Sequence, residues 1–222
     1  MGSMITLTAG DGVSIGAYRA EPAGEPRGAI VVLQEIFGVN PHIRSVADRY
    51  AEQGYLAIAP ALFDRVKPGI ELGYEQDDMK NGMAIQKETK PDDTLKDIEA
   101  AIAEASKAGK VGVVGYCWGG SLAYAAACKL SGIAAAVGYY GGGIASMLEQ
   151  KPKVPVMLHF GEQDAHIPMS DVEKIKAALP GVPIYTYAAG HGFNCDARAS
   201  YDKSSADLAL SRTLPFLKDY VG

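Results

Sequence analysis

The sequence predicts an α/β architecture, a mostly parallel central sheet flanked by helices on both faces. Short apolar runs alternate with longer amphipathic segments from about residue 29 to the end, which is the order of repeated strand–helix–strand units. The runs are brief and several are rich in Val, Ile or Tyr, as strands buried on both faces require. The chain has 222 residues, 48% hydrophobic and 21% charged, enough to bury one substantial core.

The expected core strands are Ala29–Leu33, Tyr55–Ala59, Lys110–Tyr116, Ala134–Tyr140, Val154–Phe160 and Ile184–Ala188. Covering helices are expected at Pro41–Gln53, Asp92–Ala108, Trp118–Leu130, Met169–Leu179 and Tyr201–Tyr220. In the first of these, Pro41 stands where a missing N–H costs nothing. Ahead of them, Ile5–Leu7 and Val13–Tyr18 flank Asp11-Gly12, a turn signal that predicts an antiparallel hairpin on the sheet edge. The stretch from Asp64 to Lys90 is polar, carries two glycines and one proline in its first half, and is placed where a lid or cap excursion could be inserted.

The bulk properties exclude several classes of function. A net charge of −5 offers no basic field for a phosphate backbone, so a small molecule is a better partner than nucleic acid. Apolar stretches such as Ala29–Leu33 and Ile133–Val137 fall far short of the roughly 20 residues that span a bilayer, so no membrane partner is expected. Three cysteines, an odd number with no C-x-x-C pair, suit a reducing cytoplasm. Residues 1–3 read as a cloning remnant ahead of Met4, with no secretory signal, leaving 4–222 as a single domain.

The sharpest local signal is Gly115-Tyr116-Cys117-Trp118-Gly119, entered by an apolar strand and left by a helix. It has the form G-x-C-x-G where the nucleophile elbow of an α/β-hydrolase usually has G-x-S-x-G. The two glycines fit the geometry: a side chain lifted on a strained strand-to-helix turn leaves no room for Cβ atoms two residues before and after it. The helix N-terminus beneath Cys117 favours a reactive thiolate. Cys128 lacks such a setting and reads as a packing residue, while Cys195 lies near the candidate histidine and reads as a bystander, with pocket lining as the alternative.

A thiolate nucleophile in this fold needs, in chain order, a carboxylate and then an imidazole from late loops. Asp164 leaves the strand ending at Phe160, and His191 follows the strand Ile184–Ala188 on a glycine-flanked loop. Glu162 and Asp171 compete with Asp164, while His159 reads as a core residue and His42 and His166 as bystanders. Oxyanion stabilisation is expected from the backbone N–H groups of Trp118 and Ile36. Glu35, beside Ile36, is either a solvated loop carboxylate or a pocket carboxylate that hydrogen-bonds the thiol.

With these residues assembled, the chain resembles the dienelactone hydrolase (carboxymethylenebutenolidase) family from about Ala29 to Leu217. The resemblance rests on Gln34-Glu35-Ile36-Phe37-Gly38-Val39-Asn40, Gly115-Tyr116-Cys117-Trp118-Gly119-Gly120, Gly138-Tyr139-Tyr140-Gly141, Gly161-x-x-Asp164, His191-Gly192-Phe193 and Arg212-Thr213-Leu214. It implies an α/β-hydrolase fold and a Cys117-His191-Asp164 triad that cleaves a small ester or lactone through a thioester, with no metal or organic cofactor. It also implies that Glu35 contacts the resting thiol and that Ile36 and Trp118 form the oxyanion hole.

Members of the family that act on dienelactone hold its carboxylate with arginines. Here the first corresponding stretch, Asp77-Asp78-Met79-Lys80-Asn81, has none, and the second reads Asn194-Cys195-Asp196-Ala197-Arg198. Lys80 and Arg198 are the candidate substitutes, with Phe37 and Tyr140 as further candidate substrate contacts. A catalytically idle hydrolase-fold protein that binds a small ligand or partner is the alternative, and turnover of an activated ester separates the two.

Overall fold

The computed structural model describes residues 2–222 and holds an eight-stranded sheet. In chain order the elements are β1 (Ser3–Thr8), β2 (Ser14–Ala20), β3 (Ala29–Leu33), α1 (Pro41–Glu52), β4 (Leu56–Pro60), α2 (Gln76–Glu88) and α3 (Pro91–Ala105). Then follow β5 (Val111–Tyr116), α4 (Trp118–Lys129), β6 (Ala135–Tyr139), β7 (Val156–Gly161), α5 (Met169–Ala178), β8 (Ile184–Tyr187) and α6 (Lys203–Tyr220). The strands lie in the order β1-β2-β4-β3-β5-β6-β7-β8, and every pairing from β4 to β8 is parallel.

The expected hairpin is present at the edge, with β1 and β2 antiparallel and Gly12 in the left-handed region at φ 84°. It begins one residue before the expected domain start, because Ser3 pairs with Arg19 and the Gly2 amide donates to the Tyr18 hydroxyl at 2.7 Å. Met1 of the expected remnant lies outside the described residues.

Every residue of β3, β4, β5, β6 and β7 is buried, which demands cover on both faces. Tyr116 and Tyr139 are register partners with stacked rings on the face covered by α1 and α6. There Tyr116 meets Tyr50 of α1, and Tyr139 bonds Thr213 of α6 at 2.7 Å. Helices α3 and α4 pack against each other and against β3 on the other face. His159, inside β7, is the core residue expected: Tyr187 and Thr213 hydroxyls satisfy its ring nitrogens at 2.8 and 3.0 Å. Burial first, then the nearby Arg212 charge, hold its pKa down to about 3. No helix among the described residues is long and apolar enough to cross a membrane.

The 64–90 excursion contains a helix that apolar periodicity did not reveal. α2 is polar nearly all round, with Gly82 its sole buried residue, so packing leaves almost no trace in its sequence. Its start is fixed instead by a capping box in which Glu75 and Asp78 accept each other's backbone N–H. Gly82 is buried because α2 rests on the loop after β3, where any Cβ would overlap the Ile36 carbonyl. Asn40 ties the same loop to the excursion. Its Oδ1 caps α1 by accepting from Ile43 N, while its Nδ2 donates to the Leu72 carbonyl and the Tyr74 hydroxyl at 3.0 and 3.1 Å.

The tightest backbone approach lies where β5 turns into α4. A Cβ on Gly119 would overlap the Leu33 carbonyl oxygen and come within 2.5 Å of that of Gln34, both backbone atoms that cannot swing aside. Gly119→Ala is therefore expected to destabilise the fold by about 1–3 kcal/mol through overpacking. Urea unfolding of the two proteins checks this, and an unchanged midpoint would mean that the turn is looser than described.

Candidate active site

Cys117, His191, Asp164 and Glu35 follow β5, β8, β7 and β3 respectively, so parallel pairing brings them to the carboxyl edge of one sheet. Cys117 adopts φ 56° and ψ −117°, a conformation that costs a non-glycine residue about 1–3 kcal/mol. Two backbone hydrogen bonds, each 3.0 Å, hold it there: Cys117 N to the Tyr139 carbonyl and Gly119 N to the Gln34 carbonyl. The turn is thereby fastened to both neighbouring strands, and the half-buried side chain is lifted clear of the sheet.

His191 Nε2 shares a 3.2 Å hydrogen bond with Cys117 Sγ, and its Nδ1 lies 2.7 Å from Asp164 Oδ2. Asp164 Oδ1 accepts from the backbone N–H groups of His166 and Ile167 at 2.8 and 3.1 Å, which fixes the carboxylate before it meets the imidazole. Burial raises the Asp164 pKa, but the His191 hydrogen bond and these amides outweigh it and the net direction is down. Burial likewise disfavours charge on His191. Its bonds to Asp164 and Cys117 reverse that effect and push the imidazole up to about 10. The ring is braced edge-on by Tyr140 and His166, each with centroids 5.1 Å away.

Glu35 is wholly buried, and no hydrogen bond joins it to the Cys117 thiol: Oε1 has no hydrogen-bond partner. The Tyr74 hydroxyl donates to its Oε2 at 3.1 Å, and the Arg198 guanidinium stands 3.5 Å from its Oε1. Arg198 in turn spans the faces of Phe37 and Tyr74, 5.7 Å from each ring centre. Donor atoms of Glu35, His42 and Cys195 lie within 4.8 Å of one another, as metal ligands would. The chemistry is poor for a cation: Arg198 already supplies the positive charge, and burial followed by the Glu35 charge pushes the Cys195 thiol up to about 12, away from the thiolate a metal needs.

A cavity of about 600 Å³ opens beside Cys117 and His191. Ile36, Phe37, Arg198 and Met79 are among the residues that line it. The Ile36 and Trp118 amides donate to no other backbone group among the described residues, which leaves them available to a bound oxyanion. Two candidate substrate contacts, Lys80 and Tyr140, do not line this cavity. Lys80 points to solvent, 65% exposed and paired with Asp77 at 3.0 Å, because α2 turns its polar face outward. Tyr140 is fully buried, with its ring edge-on to that of His191.

Sequence reading did not single out Tyr74, which joins Asn40 to Glu35, or the cavity walls Met83, Leu95, Leu122 and Met147. Nothing local marks Tyr74, since its partners lie 34 and 39 residues away. The wall residues sit on elements whose apolar positions also serve the core, so pattern alone does not separate the two uses.

The chain is similar to several known proteins over most of its length. The family model described as the dienelactone hydrolase family matches residues 15–221. The carboxymethylenebutenolidase of Pseudomonas putida is 37% identical over 225 residues, 96% of this chain and 94% of that protein. A Synechocystis protein with a provisional carboxymethylenebutenolidase name is 38% identical over 215 residues, 87% of each chain. A crystal structure from Klebsiella pneumoniae subsp. pneumoniae MGH 78578, provisionally named a dienelactone hydrolase, is 30% identical with a TM-score of 0.85, covering 98% of this chain and 100% of that one. A dienelactone hydrolase-like promiscuous phosphotriesterase from metagenomic libraries, 17% identical with a TM-score of 0.77 over 100% and 99% of the two chains, shares the fold. The matched span and these identities establish that the chain belongs to the dienelactone hydrolase family.

Proposed function

We propose that this protein hydrolyses a small ester or lactone through a thioester formed on Cys117, with His191 as acid and base and Asp164 as its orienter. The observation that carries the reading is the unbroken chain of hydrogen bonds from Asp164 Oδ2 through the imidazole to Cys117 Sγ, 2.7 and 3.2 Å long. The hydrogen bonds to Asp164 and Cys117 push the imidazole up to about 10, so His191 is suited to hold the proton that the leaving group receives.

The Cys117 thiolate adds to the substrate carbonyl and the carbonyl π pair moves onto oxygen. The Trp118 and Ile36 N–H groups receive the oxyanion. As the tetrahedral intermediate collapses, the C–O bond breaks and the leaving oxygen takes the proton from His191 Nε2. Water then gives a proton to neutral His191 and adds to the thioester, and collapse returns the acid and the thiolate. Asp164 keeps Nδ1 protonated throughout, so that Nε2 is the nitrogen that exchanges protons. An enolate or phenolate leaves easily from such an intermediate, whereas an amine would need far fuller protonation, so esters and activated lactones suit this site better than amides.

Asp164→Asn is expected to lower kcat for p-nitrophenyl acetate by about 10²–10⁴-fold with a much smaller change in KM, because the amide favours the wrong imidazole tautomer. A near-parental rate would move the orienting role to Glu162 or Asp171.

Arg198 is the cation that lines the cavity close to the thiol, which makes it the group to receive a substrate carboxylate in place of Glu35. A charged hydrogen bond is worth roughly 1.5–3 kcal/mol, or about ten- to a hundredfold in preference. The ratio of kcat/KM for a carboxylated lactone to that of its methyl ester should fall by that factor in Arg198→Ala, and recover only in part in Arg198→Lys, which lacks the planar fork. An unchanged ratio would remove Arg198 from substrate recognition.

A further inference from the structure

We propose that the far arm of the cavity receives an elongated apolar acyl group, so that the substrates turned over best are esters of medium-length alkyl or arylalkyl acids. The proposal rests on the thioester reading above. Cys117, Ser121, Ala125 and Lys129 all line the cavity, and their four-residue spacing puts them on one face of α4. The cavity therefore follows that helix from the reactive thiol to its last residue. At about 1.5 Å per residue, the 12 residues of α4 rise about 18 Å, well beyond the reach of a compact lactone ring.

The arm offers a chain mainly apolar contact, although Gln86 and Ser146 also line the cavity. Its walls include Met83 of α2, Leu95 of α3, Leu122 of α4 and Met147. Ser121 Oγ accepts the Gly143 N–H at 2.9 Å, which ties that side chain to the loop after β6. Met83 is 46% exposed, a large apolar side chain held over an open groove, and methionines on either side can reshape to follow a flexible chain. Lys129 closes the arm and makes no ion pair among the described residues.

The chemistry sets which half of the substrate lies there. His191 must reach the leaving oxygen to protonate it, so the leaving group sits beside His191, His166 and Arg198 at the near end. The carbonyl carbon is fixed at Cys117 and its oxygen at the Trp118 and Ile36 amides, which turns the acyl portion toward the C-terminal end of α4.

The test is a series of p-nitrophenyl esters from acetate through butyrate, hexanoate and octanoate, with Ala125→Phe to plug the arm midway. Each added methylene that enters the arm should raise kcat/KM about two- to fourfold. In Ala125→Phe the octanoate-to-acetate ratio should drop by about tenfold or more. Met83→Trp, on the exposed wall and away from the packed side of α4, makes the same test if the first variant does not fold. A flat or falling series in the parent protein overturns the proposal. So does a rising series whose slope survives in both variants, because the gain would then arise elsewhere. Failure to hydrolyse any of the esters would overturn the thioester reading itself, and acetate turnover without a chain-length gain would overturn only the role given to the arm.

Discussion

Two backbone hydrogen bonds at one turn govern the rest of the site. The Cys117 amide is tied to the Tyr139 carbonyl of β6 and the Gly119 amide to the Gln34 carbonyl just past β3, so the nucleophile's turn is clamped between the strands on either side of β5. The approach is so close that residue 119 has no space for a side chain, and Cys117 is held in a left-handed conformation that it would not choose alone. From that clamp follow the elevation of the sulfur, the aim of the first α4 amides and the line of the cavity along α4. Strain at one residue is sustained by the packing of three strands.

Charge is arranged around the clamp in two separate networks. One runs from the His166 and Ile167 amides through Asp164 and His191 to the thiol, and each link stabilises the charged form of the next. The other joins Asn40, Tyr74, Glu35 and Arg198, balancing a buried carboxylate with a guanidinium that also faces the cavity. Glu35 Oε1 has no hydrogen-bond partner and meets only the longer ion pair, a strained balance that an incoming carboxylate could take over at Arg198. In the proposed mechanism the second network connects substrate charge to the loop that carries Ile36, whereas the first handles protons.

Much of this was legible in the sequence because the relevant signals are local. Alternating strand and helix patterns gave the parallel sheet, and Gly115-Tyr116-Cys117-Trp118-Gly119 marked the turn through the steric need for glycines around it. The strand ends before Asp164 and His191 located both side chains on one edge, since parallel strands share their carboxyl ends. What stayed hidden depends on long-range or non-apolar contacts. α2 exposes nearly its whole circumference and so has no stripe to read, and the direction of Lys80 depends on that helix's rotation. Tyr140 is adjacent to the right strand, but it is fully buried, with its ring edge-on to that of His191. The bond from Tyr74 to Glu35 crosses 39 residues, beyond any local pattern.

The central claim is that acyl transfer passes through the sulfur of Cys117. Acid-quenching the Asp164→Asn protein within its first turnovers of p-nitrophenyl butyrate, followed by peptide mass analysis, tests this most directly. The account predicts a butyryl adduct on the peptide containing Cys117 that neutral hydroxylamine removes, as expected for a thioester. Product release with no adduct on that peptide, or an adduct carried stably by Ser121 or another residue, would contradict it.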